Sequence, residues 1–343
     1  MKHRLVLASV AVVGSVALLA GCSSNTAAAG SAAAVEPSAA PPVDVPDGWT
    51  YVEGDAQPTA EVVQELPVTV TDGTGAEVEV DDTSRIIAAG DDVAEILGAL
   101  GLADDVYAAP ADGASAIARG AEVQYEFNQS TGTEGLLSVD GTLFIGNNPN
   151  RHGDVAQQFR DAGVDAVVYD DQQPTADKIR AVAEYVGAAD AGEEIAAAVE
   201  GQLAEAASYA DDLEGITVLQ VTASGAGGAN AVVGTGTAGA DIAEAIGVTS
   251  VGVDAGLRGY SVEYSDEGLL ATEPDAILVG TADLEEWGGL DGFVAAFPTL
   301  VDTPAFQNDR IFVMPSEQIK ISGPALGVGA EALASALDAS FSE

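Results

Sequence analysis

His152 is the one histidine beyond residue 21, and it lies in Gly146-Asn-Asn-Pro-Asn-Arg-His-Gly-Asp154. That polar loop joins an apolar run, Leu143-Phe-Ile-Gly146, to a helical pattern near 153–162. In open α/β sheets, ligand sites lie just beyond the carboxyl ends of strands. A lone histidine is more often a plain surface or helix-cap residue than a ligand, but this position favours a ligand. Tyr260 is the second candidate, in Leu257-Arg-Gly-Tyr-Ser261. A phenolate is a hard oxygen donor suited to ferric iron. Free tyrosine titrates near ~10, so a bound metal and a nearby cation would have to help remove its proton before it could act as that donor. Arg258 can be that cation; the alternative is that Tyr260 packs on its loop and Arg258 only solvates. Gly234-Thr-Gly236-Thr237-Ala-Gly239 follows a strand pattern and precedes a helical one. It fits G-x-G-x-x-G, but Asp254 falls short of the spacing that a dinucleotide site needs. It reads instead as a helix N-terminus whose N–H groups could meet a ligand carboxylate.

Cys22 is the only cysteine. Met1-Lys2-His3-Arg4 is a charged start, Leu5 to Ala20 are apolar or small, and Leu19-Ala20-Gly21-Cys22 follows. This is a secretory signal over residues 1–21, too short to span a membrane, ending in a lipobox. Cleavage before Cys22 leaves its thiol to carry lipid, which anchors the chain to a membrane with the protein facing outward. With Cys22 lipidated, disulfides, thiolate metal sites and cysteine nucleophiles are excluded. No H-E-x-x-H or G-x-S-x-G is present, so no enzyme is expected. The formal net charge is −44. Such acidity excludes nucleic acid as a partner, and leaves membrane attachment to the lipid rather than to protein charge. Hydrophobic residues at 47% nevertheless predict a globular chain.

Residues 22–64 read as a tether, Ala/Ser/Pro/Gly-rich to residue 46 and irregular and acidic after it. Leu66-Pro-Val-Thr-Val-Thr-Asp-Gly-Thr-Gly-Ala-Glu-Val-Glu-Val80 predicts a β-hairpin. Arg85-Ile-Ile-Ala-Ala-Gly90 predicts a buried strand, and Asp91 to Leu100 a helix stopped by Gly101. Alternating strands and helices over 65–189 and again over 214–343 predict an α/β fold of two three-layer lobes with parallel sheets. Residues 190–213 read as one long alanine-rich helix between them. The halves echo each other: Glu134-Gly-Leu-Leu and Glu267-Gly-Leu-Leu each lead into a buried strand.

These pieces together resemble the substrate-binding lipoproteins of bacterial ABC importers for iron compounds and cobalamin. The resemblance covers residues 66–340. It rests on Val68-Thr-Val-Thr-Asp72, Arg85-Ile-Ile, Glu95-Ile-Leu-Gly-Ala-Leu-Gly-Leu102 and the paired Glu-Gly-Leu-Leu segments. Gly90 to Leu102, Glu134 to Ser138, His152 to Val168, Gly234 to Gly239 and Gly323 to Gly329 are similar to the haem-binding branch. The resemblance implies that haem is the transported ligand, with iron bridging His152 and Tyr260 as axial ligands, one from each lobe. Arg258 and Arg151 would support the phenolate or a propionate, and Tyr125, Gly236, Thr237 and Tyr264 would line the cleft, with Tyr264 the fallback ligand. Glu134 and Glu267 would dock onto the ABC permease, which works with its ATPase. A ferric siderophore or cobalamin is the alternative cargo, and a non-transport haem sensor or adhesin is a further reading.

Overall fold

The computed structural model describes residues 43–111, 113–126, 133–225 and 228–342. The proposed signal, Cys22 and the start of the tether lie outside them. The first strand, β1 (Thr50–Tyr51), falls inside the expected tether. β2 (Val68–Thr71) and β3 (Glu77–Val80) form the expected antiparallel hairpin.

The first lobe is then built on five parallel strands: β4 (Ile86–Ala89), β5 (Val106–Pro110), β6 (Val123–Tyr125), β7 (Leu143–Gly146) and β8 (Asp165–Val168). Their spatial order is β6-β5-β4-β7-β8. Helices α1 (Asp91–Ala99), α2 (Ala116–Gly120), α3 (Thr133–Leu137), α4 (Pro149–Asp161) and α5 (Thr175–Tyr185) connect or follow them. Every residue of β4 is buried, because a parallel sheet is covered on both faces. Its side chains alternate between two cores: Ile86 and Ala88 pack on one side, Ile87 and Ala89 on the other. The strand order reverses beside β4, so its carboxyl end and that of β7 open onto a crevice.

α6 (Ala189–Ala206) links the lobes, packing on α5. It ends sooner than the expected 213. Ser208 turns its hydroxyl onto the Glu205 carbonyl, and Asp211 and Asp212 would face the negative helix end.

The second lobe contains β9 (Thr217–Gly225), β10 (Ala229–Val233), α7 (Ala238–Ala245), β11 (Thr249–Ser250), α8 (Val251–Asp254), β12 (Tyr260–Ser261), α9 (Asp266–Ala271), β13 (Ala276–Gly280) and α10 (Thr281–Trp287). α11 (Leu290–Ala296), α12 (Pro304–Gln307), β14 (Ile311–Met314), α13 (Ser316–Ile319) and α14 (Leu326–Phe341) complete it, α14 packing on α6. The sheet order is β1-β14-β13-β9-β10-β12, with β11 beside β9. β1, β14, β13 and β9 run parallel, but β10 is antiparallel to both β9 and β12. The wholly parallel expectation fails there because only three residues separate β9 from β10, too few for a crossover helix. α3 before β7 and α9 before β13 match the helix–strand units expected from the Glu-Gly-Leu-Leu pairs.

Residues 43–64 are not a tether. Thr50 and Tyr51 register with Phe312 and Val313, so β1 covers the outer edge of β14. Trp49 stands edge-on to Phe293 at 5.0 Å. The Gly54 N–H donates to Gln318 Oε1 at 2.9 Å. The chain then crosses to the first lobe, where the Ala60 N–H reaches the Ala99 carbonyl and Gln64 Nε2 reaches Thr83 Oγ1 and the Val186 carbonyl. Apolar pairing and backbone bonds at both ends make the segment a strap across the two lobes. No helix among the described residues is long and apolar enough to cross a membrane.

Candidate functional site

A cleft of about 520 Å³ opens between the lobes. The first lobe contributes Gly90, Asp91 and Asp92 after β4, Asn147, Arg151 and His152 after β7, and Gln172 and Lys178 after β8. The second contributes Ser224, Gly236, Thr237, Tyr260 and Lys320. Gly90 is required by a close approach: a Cβ there would stand 2.4 Å from Asn147 Nδ2 and 2.5 Å from Asp92 Oδ1.

His152 is not in a loop. Asn148 caps α4, its side chain accepting from the Arg151 N–H at 3.0 Å, and Pro149 occupies the first helical position. The helix therefore starts four residues earlier than expected and carries His152 in its first turn. The imidazole is 1% exposed, and stands edge-on to Phe144 at 6.2 Å. Its Nδ1 accepts the Asn147 N–H at 3.1 Å, which puts the ring proton on Nε2 in the neutral form. Asn147 Nδ2 continues to Asp92 Oδ1 at 2.8 Å, and the Tyr169 hydroxyl donates to Asp92 Oδ2 at 2.6 Å. Burial, with Arg151 adding to it against the pull of Asp171, pushes the imidazole down from 6.5 to about 4.

That shift fixes a pH dependence. In the unfolded chain His152 takes up a proton near its usual 6.5, while in the fold it stays neutral until about 4. Its neutral burial therefore supports stability fully above about 6.5, and this support drains away as pH falls through that window, by up to roughly 3 kcal/mol. His152→Asn keeps an acceptor for the Asn147 N–H and has nothing to titrate. Urea melts should show the stability difference between the two proteins moving in the variant's favour from pH 7 to pH 4.5. Parallel pH curves would show that His152 is solvated.

Tyr260 lies on β12 against β10, with Val233 opposite it. Its hydroxyl donates to the Lys320 carbonyl at 3.2 Å. Burial raises its phenol pKa, and Asp283, Asp91 and Asp92 raise it further, so the apo form carries the proton. Two of those carboxylates come from the facing lobe. Behind Tyr260, Lys320 Nζ donates at 2.8 Å to both Asp283 Oδ1 and Ser224 Oγ. The same Asp283 oxygen accepts from Thr222 Oγ1 at 2.8 Å and the Ala223 N–H at 2.9 Å.

A family profile described as Periplasmic binding protein matches residues 86–318. The chain belongs to that family. This binding protein is a receptor of the class that serves ABC importers of iron compounds, and it carries cargo without transforming it. Its two α/β lobes match the solved structure of heme binding protein HmuT at 25% identity, TM-score 0.69, over 84% of this chain and 97% of that one. Periplasmic heme-binding protein RhuT from Roseiflexus sp. RS-1, in its apo form, matches at 29% identity, TM-score 0.63, over 76% of this chain and 99% of that one. HutB of Vibrio cholerae, at 23% identity and TM-score 0.57 over 75% of this chain and 98% of that one, shares the fold. No curated protein sequence matches the chain.

The binding protein brings His152, Arg151, Gly236, Thr237 and Tyr260 to one cleft. It turns the other tyrosines away. Tyr125 ends β6 on the buried side of the strand, packs in the core and donates to the Ala88 carbonyl at 2.5 Å. Tyr264 leans on Phe297 at 5.8 Å and donates to the Asn230 carbonyl at 3.3 Å. Neither lines the cleft, because each has an apolar neighbourhood for its ring and a carbonyl for its hydroxyl. Arg258 is exposed and shares with Tyr260 an outer depression of about 410 Å³ rather than the cleft. Glu267 is exposed on α9; the Glu134 side chain and Cys22 lie outside the described residues. Sequence reasoning missed Lys178, Lys320 and Asp283. Their signal was rarity: Lys178 and Lys320 are the only lysines beyond residue 2.

Proposed function

We propose that this protein captures haem outside the cytoplasm and hands it to an ABC permease. Tyr260 carries the proposal: a phenol on one wall of an interlobe cleft, opposite the only histidine of the described chain. Phenolate oxygen is an established axial donor to haem iron. The similarity to HmuT and RhuT over most of the chain supports the same cargo. Solved HmuT structures include ones in which a histidine, an arginine or a tyrosine is replaced, the three residue types singled out at this site.

The lobes contribute unequally. Tyr260 meets iron after losing its proton, which ferric iron compensates. His152 reaches iron only once its Nδ1 releases the Asn147 N–H and the ring turns from its pocket into the cleft. Arg151, exposed on the cleft wall, meets a propionate, and Arg258 supports the phenolate from the outer side. Lipid on Cys22 holds the protein to the membrane, and Glu134 and Glu267 dock on the permease. A ferric siderophore is the second reading, favoured by cleft walls made mainly of polar and small side chains.

The test is an absorption titration of the full chain, in mild detergent, with haemin. A saturable Soret band at one haem per protein is expected. Absence of saturable binding overturns the haem reading and leaves the siderophore.

A further inference from the structure

Of the two lysines beyond residue 2, Lys320 is committed to Asp283. Lys178 has no such partner among the described residues. It sits in the first turn of α5, is 4% exposed and lines the cleft. Its ammonium makes no hydrogen bond or ion pair among the described residues. Burying an unpaired charge is costly, so a fold that holds one at a ligand cleft holds it for a counter-charge. The acids nearby are engaged elsewhere. Asp92 accepts from Asn147 and Tyr169, Asp171 from Asn148 and Gln172, and Asp91 from the Ala114 N–H. Asp241, exposed on α7, feels the Lys178 charge without reaching ion-pair distance.

The opposite wall at this point is the N-terminus of α7. Gly236, Thr237 and Ala238 line the same cavity. Thr237 accepts the Ala240 N–H, whereas the N–H groups of Ala238 and Gly239 make no hydrogen bond among the described residues and carry the helix's partial positive charge. Gly236 adopts φ +80°, and a Cβ there would lie 3.8 Å from Gln172 Oε1 of the other lobe. The lobes are therefore close here, with two positive groups facing each other.

We infer that Lys178 and the N-terminus of α7 form a two-lobed seat for a carboxylate of the cargo, and that this carboxylate draws the lobes together. The inference rests on the iron-compound reading and adds a specificity rule to it. Cargo is selected for a free carboxylate, independently of its iron. In haem that group is a propionate; in a chelate it is a carboxylate arm.

Haemin and haemin dimethyl ester separate the two contributions, since only the first bears free carboxylates. The full chain should bind haemin at least tenfold tighter than the ester. Lys178→Gln should shrink that preference below threefold, and Lys178→Arg should restore it. Ala238→Pro tests the other lobe. Proline is accepted at the first helical position and removes one N–H, and Thr237 already has the extended backbone that a following proline needs. It too should reduce the preference. A wild-type protein indifferent to esterification, or a preference unchanged in both Lys178→Gln and Ala238→Pro, overturns the seat. If wild type binds neither porphyrin, the haem reading fails separately. The seat then requires that wild type bind ferric citrate and that Lys178→Gln bind it at least tenfold more weakly; equal binding, or none, overturns it.

Discussion

Asp283→Ala is expected to destabilise the protein by roughly 3–5 kcal/mol, the usual loss when one member of a buried ion pair is removed. Asp283 is 2% exposed, and one of its oxygens gathers Lys320, the Thr222 hydroxyl and the Ala223 N–H. Without the carboxylate, the Lys320 ammonium keeps only Ser224 as a partner, and the Thr222 hydroxyl and Ala223 N–H lose their acceptor. Lys320→Met should cost a similar amount by leaving the carboxylate buried without its cation. The double variant Asp283→Leu/Lys320→Met should lose less than the sum of the two, because no lone charge remains. Urea unfolding of the four proteins measures this directly. A single-variant loss below about 1 kcal/mol would place the pair among solvated surface bridges. The damage should extend to the cleft, since the Lys320 carbonyl is what the Tyr260 hydroxyl rests on.

Tyr260→Phe should weaken haemin binding by about a hundredfold, close to 2.8 kcal/mol at 1.4 kcal/mol per tenfold. The ring and its packing survive this change; only the oxygen goes. The Soret and charge-transfer bands should change with it, because the donor set at iron changes. Wild type should also release about one proton on binding, read from the dependence of calorimetric heat on buffer ionisation. The direction follows from the raised phenol pKa: the apo group is protonated throughout the neutral range, so metal must displace the proton. Lower pH should therefore weaken binding in wild type and have little effect on the variant. An unchanged spectrum and unchanged proton count in Tyr260→Phe would remove Tyr260 from the iron.

The elements that position this site were legible where a local pattern sufficed. Ile86-Ile-Ala-Ala89 reads as a buried strand because the apolar run is short, opens on two β-branched residues and is stopped by Gly90, and a strand covered on both faces keeps every residue buried. The start of α4 was written in Asn148-Pro149, a cap followed by a first-turn proline, yet the glycine and polar residues around it suggested a loop. β1 had no local signature. Two residues make no period, and its neighbour Gly54 pairs with Gln318 across 264 positions of sequence. Tyr125 and Tyr264 show the limit of residue type as evidence. A tyrosine suits a porphyrin and a protein core equally well, and only the backbone decides which it meets. Lys178 and Lys320 were hidden by the opposite habit, since lysine ordinarily stays at the surface.

The strap has a mechanical consequence. α6 carries the chain from the first lobe to the second, and residues 55–59 connect the second-lobe attachments of the strap to those on the first. Two bodies joined by one rod can swivel freely; joined at two separate points, they keep one easy rotation, about the line through both. Opening is then a door on two hinges rather than a ball in a socket. A partner that held each lobe would need to apply only a single torque to part the cleft walls.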